Sequence, residues 1–233
     1  MKKLYCFSPL AMLITFVIEF AGATYALIRY KMNRVGQMVV ALLGFLGLFQ
    51  VAEYMICEKI GGVEWSRIGF FATTVLPPLG LTLGLSITEV KNRFVALLKP
   101  LMWVACGLFS FYVLFWQNAI TSEVCSGNYV IFHTSEIMWL YSVYYFLLLG
   151  TGLLGGIYLI KVTKDKRKKK SLLALVLGTL AFLVPTVIVN LISHETVAAI
   201  PSIMCGFAVI LALVLIFIIL PTSGLKRTYK NGS

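Results

Sequence analysis

Seven apolar stretches, each long enough to cross a bilayer, leave this chain little choice of fold. They lie at about 7–28, 36–57, 67–88, 96–117, 136–160, 172–193 and 197–220. About 20 residues of α-helix span a hydrocarbon core, whereas barrel strands alternate apolar and polar residues over about 10 positions. The runs nearly fill the 233 residues and the connections between them are short. The sequence therefore predicts an all-α integral membrane protein, one domain over residues 1–233, built as a bundle of seven transmembrane helices. Charge agrees: 12% of residues are charged, against about 25% in soluble domains.

The net charge of +11 raises nucleic acid as a partner, but no nucleic-acid motif accompanies it and its distribution points to the lipid bilayer instead. Arg29, Lys31 and Arg34 follow span 1, and Lys91, Arg93 and Lys99 follow span 3. The run KVTKDKRKKK (161–170) follows span 5, and Lys226, Arg227 and Lys230 follow span 7. These are 16 of the 20 Lys and Arg, opposed on that side by Glu89 and Asp165. By the positive-inside rule the amino terminus is expected outside and the carboxyl terminus in the cytoplasm. The expected location is a cell membrane, multi-pass, of the bacterial inner-membrane kind. MKK before an apolar run and Ala21-Gly22-Ala23 has the outline of a cleaved signal peptide. Cleavage would put Arg29, Lys31 and Arg34 outside and invert every later loop, so the first span is expected to be kept.

The third span, WSRIGFFATTVLPPLG (65–80), carries two adjacent prolines near its centre. Each proline removes a backbone N–H and frees a carbonyl four residues back. In lipid that carbonyl needs a partner, from packed neighbours, water or hydroxyls such as Thr73 and Thr74. Pro185 is expected to break span 6 in the same way, while Pro201 falls in the first turn of span 7 and costs little. Such kinks either shape packing alone or open one end of the bundle.

Ionisable groups inside the spans are the candidate site residues. Glu19 is about midway along span 1. Gln50 and Glu53 share a face of span 2 at three-residue spacing. An acid at that depth usually faces the bundle interior and a ligand or ion path; the alternative is a carboxyl bonded to a neighbouring helix and serving packing only. Arg67 is the expected ion-pair partner of Glu53 or Glu58. Asn190 and His194 lie at the outer end of span 6. His133 and Glu136, three apart before span 5, have a spacing that suits two metal ligands on one helical face, with His194 as a third weak candidate. Two isolated histidines are more often surface residues, so no metal and no cofactor is expected.

Cys6, Cys57 and Cys125 all fall on the expected outer side, where disulfides persist. A Cys57–Cys125 bridge and a Cys6–Cys57 bridge are rival pairings, and free thiols are the third reading. The last span has no lysine to carry a retinal Schiff base, which excludes a microbial rhodopsin. Lys164, Lys166, Arg167, Lys168, Lys169 and Lys170 read as a topology anchor against anionic lipid or as the docking site of a cytoplasmic partner. The small-residue stretch GTGLLGG (150–156) suits close helix approach, either to a second copy in a homodimer or within one bundle.

Two stretches carry resemblances. CFSPLAMLITFVIEF and GFLGLFQVAEYMIC resemble a group of bacterial multi-span membrane proteins of uncharacterised activity. Those open with Cys-Phe-Ser and carry Gln-x-x-Glu on the second span; the matching positions are Cys6, Phe7, Ser8, Gln50 and Glu53. That resemblance covers about the first quarter of the chain and implies no activity. The third span, WSRIGFFATTVLPPLG, is similar to that of the seven-helix sensory region of some membrane histidine kinases and diguanylate cyclases. Those continue into a cytoplasmic signalling domain; here 13 residues follow span 7, so a signal is expected to pass to a separate cytoplasmic signalling partner.

The expected function is a sensor or receptor-like module. Its outward polar pocket, for a small-molecule ligand, would be lined by Glu53, Gln50, Arg67, Asn190 and His194, with Glu19 deeper. A small-solute or ion transporter is the alternative, but no internal repeat and few inner-half charges support it. A membrane-embedded enzyme with an outer-face site at Glu53, Cys6 or His194 is the third class; no nucleophile elbow, HExxH or phosphate loop identifies its chemistry.

Overall fold

Helix formation follows the apolar runs closely. The computed structural model describes residues 9–90, 92–125, 129–192 and 194–222, with backbone alone at 94, 194 and 195. Seven helical segments in it are long and apolar enough to cross a membrane. In chain order these begin with α1 (Pro9–Arg29), α2 (Arg34–Cys57), α3 (Val63–Thr88) and α4 (Arg93–Phe115). A hairpin, β1 (Ile120–Cys125) and β2 (Val130–Thr134), intervenes before α5 (Met138–Val162) and α6 (Lys166–Ile192). The seventh segment is broken: a 3-10 turn (His194–Ala199), α7 (Ile200–Phe207), α8 (Val209–Val214), a π-helical turn (Leu215–Ile219) and a last turn (Leu220–Thr222).

Local chemistry sets the boundaries. Asn33 caps α2 by accepting the Gly36 N–H at 2.9 Å. The reversal from α2 to α3 uses Gly61 (φ 85°) and Gly62 (φ 70°), left-handed values that glycine adopts without a Cβ penalty. Asp165 accepts the Arg167 N–H at 2.8 Å and starts α6 at Lys166. The connection expected at 161–170 is thereby shortened, because lysine and arginine are good helix formers and continue the helix past the apolar run. Buried threonines satisfy themselves by bonding back one turn, as Thr186 does to Phe182 O at 2.7 Å.

The twin prolines do not break α3, which runs unassigned to any other structure from Val63 to Thr88. The carbonyl that Pro78 deprives of a partner belongs to Thr74. It receives the Tyr144 hydroxyl from α5 at 2.9 Å and faces the Cys106 thiol of α4 at 3.8 Å. The hydroxyls of Thr73 and Thr74 are not the ones that compensate; both turn back to Phe70 O, at 2.9 and 2.6 Å. Pro201 sits in the opening turn of α7.

α2, α3 and the seventh segment form the centre of the bundle, while α1, α4, α5 and α6 leave most of their surface outward. Their outward residues are large and apolar, such as Phe20, Leu108, Leu147 and Leu191, as a lipid-facing surface requires. At one end the chain carries Arg29, Arg34, Arg93, Lys161 and the start of α6. There Lys168 pairs with Glu89 at 3.4 Å and Ser171 bonds Thr222 at 2.6 Å. The opposite end carries the hairpin. Its antiparallel register (Glu123 with Phe132, Cys125 with Val130) turns Val130 and Phe132 into the bundle. Phe132 meets Phe70 of α3 edge-on at 5.0 Å. A disulfide joins Cys57 at the end of α2 to Cys125 of β1, and so fastens the hairpin to the bundle. Cys6 lies outside the described residues.

Candidate functional site

Two features stand out in the interior of the bundle. The first is a buried acidic track where α1, α2 and α7 meet. Glu19 (0% exposed), Gln50 (1%) and Glu53 (2%) are sealed from the surface. Gln50 Nε2 donates to the Cys205 carbonyl at 3.1 Å. The Ser202 hydroxyl is the hydrogen-bonding partner of the Glu53 carboxyl, and it accepts the Val130 N–H of β2 at 3.1 Å. Glu19 Oε2 lies beside Gly47, 3.7 Å from where a Cβ would stand; there the absent side chain makes room for the acid. Gly47, Gln50 and Glu53 succeed one another by three residues, so the polar groups climb one face of α2 towards the hairpin.

The second feature is a pair of cavities on the other side of α7. One, of about 140 Å³, lies beneath the hairpin between α3, α5 and the start of the seventh segment. Its walls include Phe70, Phe132, Met138 and Met204, with Thr73, Tyr141 and Ser142 as the polar groups. Tyr141 and Thr73 share a hydrogen bond of 2.9 Å. Thr74 Oγ1 also approaches the Tyr141 oxygen, at 3.4 Å, so the phenol is tied to α3 through two neighbouring threonines. The other cavity, about 110 Å³, is walled by leucines and by Gly80, Gly84, Gly152, Gly155 and Gly156. Tyr145 and Met204 line both.

The residues singled out from sequence are only partly brought together. Glu19, Gln50 and Glu53 are gathered in the track, but none of them lines either cavity. Arg67 does not pair with Glu53 or Glu58; its half-buried side chain reaches Gln117 instead, where Nη2 donates to the backbone carbonyl at 3.2 Å and Nε stays buried without a partner. Asn190 spans α6 and the 3-10 turn, donating to Thr186 O and accepting from Thr196, both at 2.9 Å. The His194 side chain lies outside the described residues. His133 sits on β2 and Glu136 in the turn after it, both exposed, so the helical face that would have paired them does not exist. Among the described residues no three His, Cys, Asp or Glu side chains gather as a metal site. Lys164, Lys166, Arg167, Lys169 and Lys170 are exposed, and Lys168 is the member held by Glu89. Gly152 and Gly156 of the small-residue stretch face Leu81 and Val176 of the same bundle.

Sequence reading passed over Tyr141, Tyr144, Tyr145, Ser202 and Met204. Tyrosines inside an apolar run read equally well as lipid-facing or interfacial residues. Ser202 gave a weak signal, one turn from Cys205 beside Pro201. No family model matches the chain, and neither curated proteins nor solved structures yield a match to it.

Proposed function

We propose that this protein is a receptor-like sensor in a bacterial cell membrane, with the hairpin end outside and the basic end in the cytoplasm. The large excess of Lys and Arg at one end supports the orientation. The disulfide at the other end supports it independently, since disulfides persist in oxidising compartments. The ligand site is the hairpin-roofed cavity, in place of a pocket lined by Glu53 and Arg67. At about 140 Å³ it is close in size to an engineered cavity that holds benzene. Its walls are apolar apart from a few hydroxyls, those of Thr73, Tyr141 and Ser142 among them, which suits a small aromatic or alicyclic compound bearing one polar group.

One observation carries the reading. α7 has two working faces: Pro201 and Met204 wall the cavity, while Ser202 and Cys205 hold Glu53 and Gln50. A ligand that presses on the first face moves the second. The breaks at Ala208 and at the π turn give the seventh segment somewhere to bend. Its last turn bonds the start of α6 through Thr222 and Ser171, which places the output next to the basic helix turns where a separate partner would dock. A carrier would need ionisable groups along both halves of the path, and here they stop at Glu19.

Phenol and indole are the probes to test it, titrated calorimetrically into the purified protein. Saturable binding in the wild type, lost in Met204→Trp and weakened in Tyr141→Phe, is expected. Equal binding in all three proteins would remove the cavity as the ligand site.

A further inference from the structure

Glu19 and Glu53 are not explained by the ligand cavity, and their burial is severe. Both oxygens of Glu19 and one of Glu53 have no hydrogen-bond partner. Among the described residues the one ion pair is Lys168 with Glu89 at the basic end of the bundle, so no described Lys, Arg or His pairs with these acids. Bare carboxylates in an apolar, lipid-bounded interior are among the groups least tolerated there. Their surroundings supply oxygen atoms: the two carboxyls, the Ser202 hydroxyl and the Cys205 carbonyl. Such a set suits hard cations, but calcium takes about 6–8 oxygens, more than are gathered here.

We propose that the junction of α1, α2 and α7 is a blind-ended cation-binding track, in which the Glu53 and Glu19 carboxylates hold a small monovalent cation, a proton or a sodium ion. The cation enters from the hairpin end, at the Glu53–Ser202 pair that Val130 of β2 covers. It passes Gln50 and ends at Glu19 beside Gly47. The titratable groups facing the track are Glu19 from α1, Glu53 from α2 and Cys205 from α7, with Tyr145 of α5 behind Cys205. Beyond Glu19, towards the basic end, α1 has no Asp, Glu, Lys, Arg or His before Arg29, and the seventh segment has none from Thr196 to Thr222. A track with one mouth loads and unloads; it does not conduct. It stands on different residues from the ligand cavity and holds whether or not phenol binds.

The test uses the full chain in lipid nanodiscs. Its melting temperature is followed as pH changes in choline chloride, and as sodium replaces choline at fixed pH and ionic strength. A site filled to about ten times its Kd raises Tm by roughly 3–6 °C. That shift is expected in at least one series and lost in Glu19→Gln and Glu53→Gln, whose amides carry no charge. A sodium response identifies sodium; a response to pH alone identifies the proton. Shifts identical in wild type and both variants would overturn the proposal. Should the variants fail to fold, infrared difference spectra of the wild type still decide. A carboxyl band from an apolar environment that changes with pH or sodium is expected, and its absence in both series overturns the site.

Discussion

Removing the Tyr144 hydroxyl should destabilise the bundle through a backbone atom 70 residues away in sequence, and a second substitution should restore the loss. The Thr74 carbonyl lacks its helical donor because residue 78 is proline, and it is buried between α3, α4 and α5. Tyr144 donates to it at 2.9 Å, and the Cys106 thiol at 3.8 Å is a weak substitute. Tyr144→Phe leaves that carbonyl without a good donor, at a cost of about 1–3 kcal/mol. For a chain of this size that is a fall in Tm of roughly 2–12 °C. Pro78→Ala supplies an N–H to the same carbonyl by the ordinary i to i−4 bond. In the Pro78→Ala background Tyr144→Phe should therefore cost about 0–0.5 kcal/mol, a coupling of about 0.5–3 kcal/mol between the two sites. Thermal unfolding in detergent of the four proteins of the cycle reads it, with Tyr158→Phe on the exposed face of α5 as a control expected to change little. Additive effects would refute the account of how α3 tolerates its prolines.

Neighbouring glycines should part company. A methyl at Gly155 meets nothing within 4 Å, so Gly155→Ala is expected to stabilise by about 0.5–1 kcal/mol; a methyl at Gly156 falls 2.7 Å from Val176 Cγ2, and Gly156→Ala should destabilise by about 1–2 kcal/mol, both read as Tm. If a homodimer packs on this stretch, Gly155→Ala would instead lower the dimer fraction on native mass spectra. Reduction of the Cys57–Cys125 bond should lower Tm. Chain entropy for a separation of 68 residues sets an upper bound of about 4 kcal/mol, and insertion of the helices brings the expected loss to about 1–3 kcal/mol. An unchanged Tm with reductant would mean the hairpin holds itself in place. Exchanging Lys166, Lys169 and Lys170 for Gln should give a mixed orientation. It is measured by an impermeant thiol reagent on a cysteine placed at the exposed Thr121.

Much of the architecture was legible in the apolar runs, because a bilayer imposes one length and one kind of backbone on whatever crosses it. The burial of Glu19, Gln50 and Glu53 could be read for a related reason: a charge in a span is sustained only by facing inward. What could not be read was the company those residues keep. Arg67 and Glu53 lie on consecutive spans at similar depth, yet the rotation of α3 about its axis sends Arg67 to Gln117, and hydropathy carries no information on rotation within a uniformly apolar helix. Ile120–Cys125 and Val130–Thr134 pack over the bundle as a hairpin, and their alternation is too short to stand out beside runs of about 20 apolar residues. The seventh run has the highest mean hydropathy of the seven and proves the most broken; near its first break Gln50 donates to the Cys205 carbonyl, a contact that hydropathy does not encode.

The link between the ligand cavity and the acidic track is the centre of the account, and Cys205 reports on it. Its carbonyl holds Gln50, it lines the second cavity, and its neighbour Met204 lines both. In a chain lacking Cys6 and Cys106, Cys205 is the one thiol left outside the disulfide. Its rate of modification by a small membrane-permeant thiol reagent is measured with and without saturating phenol. A change of about fivefold or more, abolished by Met204→Trp, is the predicted result. Saturable phenol binding with an unchanged Cys205 rate would contradict the coupling, leaving a cavity that holds a ligand and tells the rest of the bundle nothing.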